Sequence, residues 1–355
     1  MLPSTTKRRQ GDLAPLSFSP TRRARFMAID LDFAPDAARA RALNARMNRE
    51  LADSLAYVSD AARGQLPFDE AGLGGVIAAL RNGEPFAPGV FARYYALVNA
   101  IGAEDDSAAV ALFGELARSR AVPATLQIVA LDDQALGEEG ALYARMMNAE
   151  AGLDIAFAAP SAQVSADFRL RLNDGLALLD RALPDLAGEI RAIVRQIVIV
   201  GSDPTKVMQF DGGSHYQLWG ALFLNGSYHP DPVAVVEVLA HECAHSLLFG
   251  FCTDQALIEN DDEERFASPL RPDPRPMDGI YHATYVSARM HWAMTRLAAD
   301  PLLAPEARER ALAAARADLV NFDAGYSVVA EHGRLTGLGQ GLMASALAYV
   351  DAARR

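Results

Sequence analysis

Two histidines four residues apart, His241 and His245, enclose a glutamate in the run His241-Glu242-Cys243-Ala244-His245. On a helix, positions i and i+4 lie about 40° apart and one turn along the axis, so both imidazoles can address one metal ion from the same face. Glu242 projects about 100° away from His241, beside a metal-bound water rather than among the ligands. A two-histidine site needs at least one more protein ligand. His215, His229, His282, His291 and His332 are the other histidines. His282 is the expected third ligand, because it falls in the first turns of a helix predicted from about Gly279. His291, nine residues on, lies about 180° around that helix and points elsewhere. Asp261, Glu263 and Glu264 are the carboxylate alternatives, in a run that otherwise reads as a solvated acidic loop.

The loop before His282 carries two more groups with chemistry. Arg271 and Arg275 are held four apart in Arg-Pro-Asp-Pro-Arg-Pro, a stiff segment. Guanidinium groups capture carboxylates with two parallel hydrogen bonds, so this loop is expected to bind an acidic ligand or cofactor. The alternative is that one arginine pairs with Asp273, Asp278 or the acidic loop. Cys243 and Cys252 read as packing residues without a redox role. Trp219 is expected in the core, on a strand whose edge is an alternative place for an added peptide strand.

The elements that must position these groups follow from pattern. Asp231 caps and Pro232 opens a helix that carries the motif and ends near Gly250. Ahead of it, Val207–Phe210 and Gln217–Leu224 flank Asp211-Gly-Gly-Ser214, which predicts a hairpin. Gln196–Val200 and Thr125–Leu131 read as strands, and Ile155–Ala158 as a weaker one. Helices are predicted over 36–60, 70–80, 89–101, 105–119 and 162–195, the last interrupted at Pro184. Leu43, Met47, Leu51, Leu55 and Val58 mark the buried face of the first. Further helices are predicted over 279–299, 305–322, 326–331 and 337–353. The expected class is α+β, predominantly helical. A small antiparallel sheet precedes the motif helix in a zincin-like core, and a helical lobe occupies residues 31–195 ahead of a metal-binding lobe at 196–355.

Composition bounds the class. The chain has 355 residues, 51% of them hydrophobic, with net charge −12. That suffices for one large core or for two lobes of about 150 to 200 residues each. An acidic balance argues against nucleic acid as partner, and two cysteines exclude a disulfide-stapled scaffold. No run of about 18 apolar residues predicts a membrane span, and the N-terminus lacks a secretory apolar region. Cytoplasmic location is expected. Residues 1–30 read as a flexible basic arm. Met1–Phe26 holds six basic residues and one acidic, leaving 27 basic and 44 acidic side chains elsewhere, a net −17.

Alone, His-Glu-x-x-His suggests a zinc metallopeptidase, with Glu242 as general base. The motif followed by Ser268-Pro-Leu-Arg-Pro-Asp-Pro-Arg-Pro-Met-Asp-Gly-Ile-Tyr-His282-Ala-Thr-Tyr resembles a more specific family. These are the alpha-ketoglutarate-dependent HExxH-type peptide β-hydroxylases, found beside ribosomally made peptide natural products. The resemblance spans about Ser202 to Trp292. It implies iron(II) held by His241, His245 and His282, and a 2-oxoglutarate carboxylate gripped by Arg271 or Arg275. It further implies decarboxylation to succinate and hydroxylation of a β-carbon in a precursor peptide, the expected partner. Glu242 would then orient neighbouring groups rather than hydrolyse. Three histidines depart from the usual two-histidine, one-carboxylate iron set, which keeps Glu263 and Glu264 open. A peptide-binding protein with a structural metal is a third reading, and neither cysteine is placed to close such a site.

Overall fold

The computed structural model describes residues 30–148, 156–203, 210–268 and 273–355. Most of the expected basic arm, part of the predicted hairpin and Arg271 lie outside the described residues.

The chain opens with α1 (Ala37–Ala62), α2 (Glu70–Arg81), α3 (Gly89–Gly102) and α4 (Asp106–Ala117), close to expectation. The Asp36 side chain accepts from the Arg39 amide and so caps α1, whose Leu43, Met47, Leu51 and Leu55 are fully buried. Next come β1 (Gln127–Ala130), α5 (Glu139–Met147), β2 (Phe157–Ala158), α6 (Ala162–Ala182) and α7 (Pro184–Ile193). Pro184 ends one helix and opens the next, as its fixed φ and missing N–H dictate. β3 (Gln196–Ser202), β4 (Gly212–Ser214) and β5 (Ala221–Asn225) then lead into α8 (Pro232–Phe251), the motif helix. The chain finishes with α9 (Met277–Ala298), α10 (Pro305–His332) and α11 (Gly337–Ala353).

The fold is mostly helical with a small mixed sheet, which corrects the expected antiparallel one. The strand order is β1-β3-β5-β4, with β1, β3 and β5 parallel, β4 antiparallel at the edge, and β2 antiparallel to the end of β3. The reason lies in β3. Ile197 and Ile199 face one core while Val198 and Val200 face another, so the strand is apolar on both sides, as a central parallel strand must be. The predicted hairpin is also replaced. Gly212–Ser214, read as a turn, pairs with Leu222–Leu224, and Tyr216–Leu218 forms a short 3-10 turn instead of strand. Trp219 therefore precedes β5 and lies on no edge; it is buried, its Nε1 donating to Asn44 Oδ1 at 2.9 Å.

Two helices predicted over 305–331 are one. Gly325 is buried inside α10, where its small size serves packing instead of termination. The larger core runs from Phe33 on the approach to α1 through β3 and α8 to Val350 in α11, and the sheet takes strands from both sides of residue 195. Among the described residues, α8 is long and apolar enough to cross a membrane by length and composition, but 72% of its apolar window is buried within the protein.

Candidate metal centre

α8 forms where the sequence requires. Asp231 Oδ1 accepts from the amides of Val233 and Ala234, and Pro232 fills the first turn, which needs no donor. From the second turn onward the helix is buried on nearly every side. The exception is a stripe at four-residue spacing, Glu237, His241, His245 and Phe249, all half-buried. That stripe is the part of the motif helix that solvent reaches. The edge strand β4 and helix α9 both flank α8.

β4 comes close because of a glycine. A Cβ at Gly212 would lie 2.8 Å from Glu242 Oε1, so the strand and the carboxylate can share that space only without a side chain there. Glu242 is buried, and its Oε1 is 4.0 Å from His241 Nε2. That separation leaves a carboxylate within one water of the imidazole nitrogen.

α9 supplies the other side. His245 Nδ1 is 3.0 Å from His282 Nδ1, and His245 Nε2 is 3.2 Å from His241 Nε2. His241 Nδ1 is 3.1 Å from Met290 Sδ, an acceptor only, so His241 carries its proton on Nδ1 and turns a lone pair on Nε2 towards His245. Without a metal, one file of protons satisfies the set. His282 Nδ1–H donates to His245 Nδ1, and His245 Nε2–H donates to His241 Nε2. Burial, followed by the neighbouring imidazoles, holds His245 well below the usual histidine range, and burial lowers His282 despite Asp278.

The set meets the chemistry of a metal site in part. Nitrogens at 3.0 and 3.2 Å are spaced as neighbouring ligands at right angles around one ion with bonds of about 2.1 Å. However, His245 offers a different nitrogen to each neighbour. Among the described residues, no three His, Cys, Asp or Glu side chains are gathered as a metal-binding group. A half-turn of the His245 ring exchanges Nε2 with Cε1 and sets Nε2 between both neighbours. The donor types and spacing therefore fit a metal once that ring turns.

The remaining expected residues lie apart from these contacts. Arg275 Nε pairs with Asp273 Oδ2 at 2.9 Å, the alternative partner weighed for it, and its backbone bridges to Phe266. Glu264 is drawn to Arg334 at 2.9 Å and to Asn260, and these bonds lower its pKa. His291 Nδ1 meets the Tyr349 hydroxyl at 2.8 Å, on another face of α9 from His282. Cys243 and Cys252 are free, buried thiols whose pKa burial raises.

No family model matches the chain, and no curated protein matches it significantly. The geometry also adds residues that the motif does not name. Asp278 Oδ1 stands 4.0 Å from His282 Nε2 one turn earlier on α9, and the Phe249 ring lies 5.6 Å from that of His282. Four-residue spacing from the histidines signals both. Met290 and Gly212 carry no such signal, because their proximity depends on how α9 and β4 dock.

Proposed function

We propose that the chain is an iron(II)- and 2-oxoglutarate-dependent oxygenase that hydroxylates the β-carbon of a residue in a ribosomally made precursor peptide. The observation that carries the reading is the contact of His245 with both His241 and His282, the latter following the arginine-proline loop directly in sequence. His241, His245 and His282 would hold the metal, which supplies oxygen activation when 2-oxoglutarate joins it. Met290 and Asp278 orient the outer nitrogens of His241 and His282. Arg271 and Arg275 are the guanidinium groups for the cofactor carboxylate, and Arg275 must exchange Asp273 for it. Among the described residues β4 pairs only with β5, so its outer edge can take an extended peptide beside the histidine stripe. Glu242 holds water and ring orientation at His241.

One observation favours a second reading, a zinc metallopeptidase. The Glu242 carboxylate stands where a general base for a metal-bound water belongs. One assay separates the two. The chain, purified without oxygen, is supplied with iron(II), 2-oxoglutarate and the peptide encoded beside its gene. A product heavier by one oxygen atom, with succinate, supports the oxygenase. Peptide cleavage by the zinc-loaded protein without 2-oxoglutarate, abolished by Glu242→Gln, establishes the peptidase instead.

A further inference from the structure

One end of the half-buried α8 stripe carries charge that the metal reading does not use. Glu237 lies one helical turn before His241 on the same half-buried stripe. Beside it on α10 is Asp318, only 2% exposed, with its Oδ2 lacking any hydrogen-bond partner. The two helices are also tied near their starts, where Arg310 Nε meets Asp231 Oδ2 at 3.1 Å. The charged neighbours acting on Glu237 are Asp211 and Asp231, and the one acting on Asp318 is Glu237; Arg310 offsets Asp231, and no basic group acts on Glu237 or Asp318 among the described residues. A buried carboxyl with an unsatisfied oxygen, facing other carboxylates, is costly unless a donor or cation completes it.

The missing partner has a definite chemistry. A metal ion would need more ligands than this pair provides, since no three acidic, histidine or cysteine side chains form a metal-binding group among the described residues. An ammonium or guanidinium on a flexible stem needs only two carboxylates, and its apolar stem suits a half-buried surface. Arg310 is not that cation, because Asp231 holds it on the exposed side. We infer that the Glu237 end of the stripe is a subsite for a cationic side chain of the bound peptide, seated against Glu237 and Asp318 one turn from His241. This rests on the peptide-substrate reading above. It adds that the substrate carries Lys or Arg near the residue that is modified. Burial, and then Glu237, push the Asp318 carboxyl up to about 8, so seating the cation also releases a proton near neutral pH.

The test uses the full chain and labelled, capped peptide pools of neutral composition whose central residue is fixed as Lys, Arg, norleucine or Glu. Fluorescence anisotropy should show the Lys or Arg pool binding about tenfold or more tightly than norleucine, with Glu weakest. The Lys and Arg arms tell ammonium from guanidinium. Glu237→Gln and Asp318→Asn should each cut that preference severalfold and leave the norleucine affinity unchanged, with thermal melting confirming that both variants fold. Equal binding of Lys, Arg and norleucine pools overturns the subsite and leaves the peptide reading standing. A charge preference that survives both variants also overturns it, and assigns the pair to holding a shared proton. No binding by any pool, with no peptide altered, overturns both readings.

Discussion

Helix α9 takes part in polar centres on two sides, and the two sides are built differently. On one side Glu189 of α7 is completely buried and accepts from Arg39 at 3.1 Å, from the Asp36 amide at 3.1 Å and from Arg289 of α9. Arg289 also donates to the Phe33 carbonyl at 2.7 Å, and Arg39 to that of Ala34 at 2.8 Å. This centre is nearly closed: residues of α1, α7 and α9 and the carbonyls ahead of α1 meet one another except at Arg39 Nε, which has no hydrogen-bond partner, and the centre fastens the chain ahead of α1 to the core. On the other side lie His241, His245 and His282, whose ring nitrogens meet one another, and Glu237 and Asp318, where a carboxylate oxygen lacks a donor. Helix α9 thus joins a centre completed almost entirely from within to one that a ligand would complete. The difference separates a structural role from a functional one more clearly than burial does.

The largest expected effect breaks the closed centre. Glu189→Ala leaves two buried guanidinium groups without their carboxylate and should cost about 3–5 kcal/mol. Urea denaturation checks this, and a loss below about 1 kcal/mol would remove the contrast between the two sides. Replacing a member of the open centre should behave in the opposite way. His245→Ala should abolish metal binding and activity, read by elemental analysis and product mass, while the metal-free fold loses no more than about 1–2 kcal/mol. A larger loss would show that the histidine file serves the fold. His282→Ala discriminates further: unchanged metal stoichiometry would leave His282 as an orienting partner of His245 only.

A smaller effect tests the contact of β4 with Glu242. Gly212→Ala places a methyl 2.8 Å from Glu242 Oε1 and 3.2 Å from the Phe223 carbonyl, and the flexible carboxylate must shift. Activity should fall about tenfold or more, while metal content stays unchanged and stability changes by about 1 kcal/mol. Equal activity would show that the position of Glu242 at His241 is not critical.

How much of this could be read from residues alone differs between the two centres. The motif helix was legible to its cap, because Asp231, Pro232 and the i, i+4 histidines are local signals. His282 was reachable by helical spacing, and the Arg275–Asp273 pair by adjacency. The sheet was misread because the glycines of β4 have turn chemistry, and only contact with β5 makes them strand. α10 was split for a related reason: Gly325 reads as a break until its neighbours are known. The closed centre was invisible, since Glu189 meets Arg39 and Arg289 across 150 and 100 residues. Asp318 was hidden for the same reason, with no spacing that links it to Glu237.

A pH-dependent effect follows from Asp318. Its carboxyl ionises near 8 in the folded chain, against an ordinary value of 3.8. Between these values the folded protein keeps a proton that the unfolded chain has released. Stability therefore falls as pH rises through that window, with a limiting slope of about 1.4 kcal/mol per pH unit. Glu237, also raised by burial, contributes in the same direction. Asp318→Asn has no proton to lose, so its stability relative to the parent should increase from pH 5 to 8 and level off above that. Urea denaturation across that range measures the difference. A parallel pH dependence in both proteins would mean that Asp318 is already matched in the folded state, as Glu189 is, and would place it with the closed centre. A saturating lysine peptide provides the converse test. By stabilising the ionised carboxylate it should flatten the parent's slope while leaving that of Asp318→Asn almost unchanged.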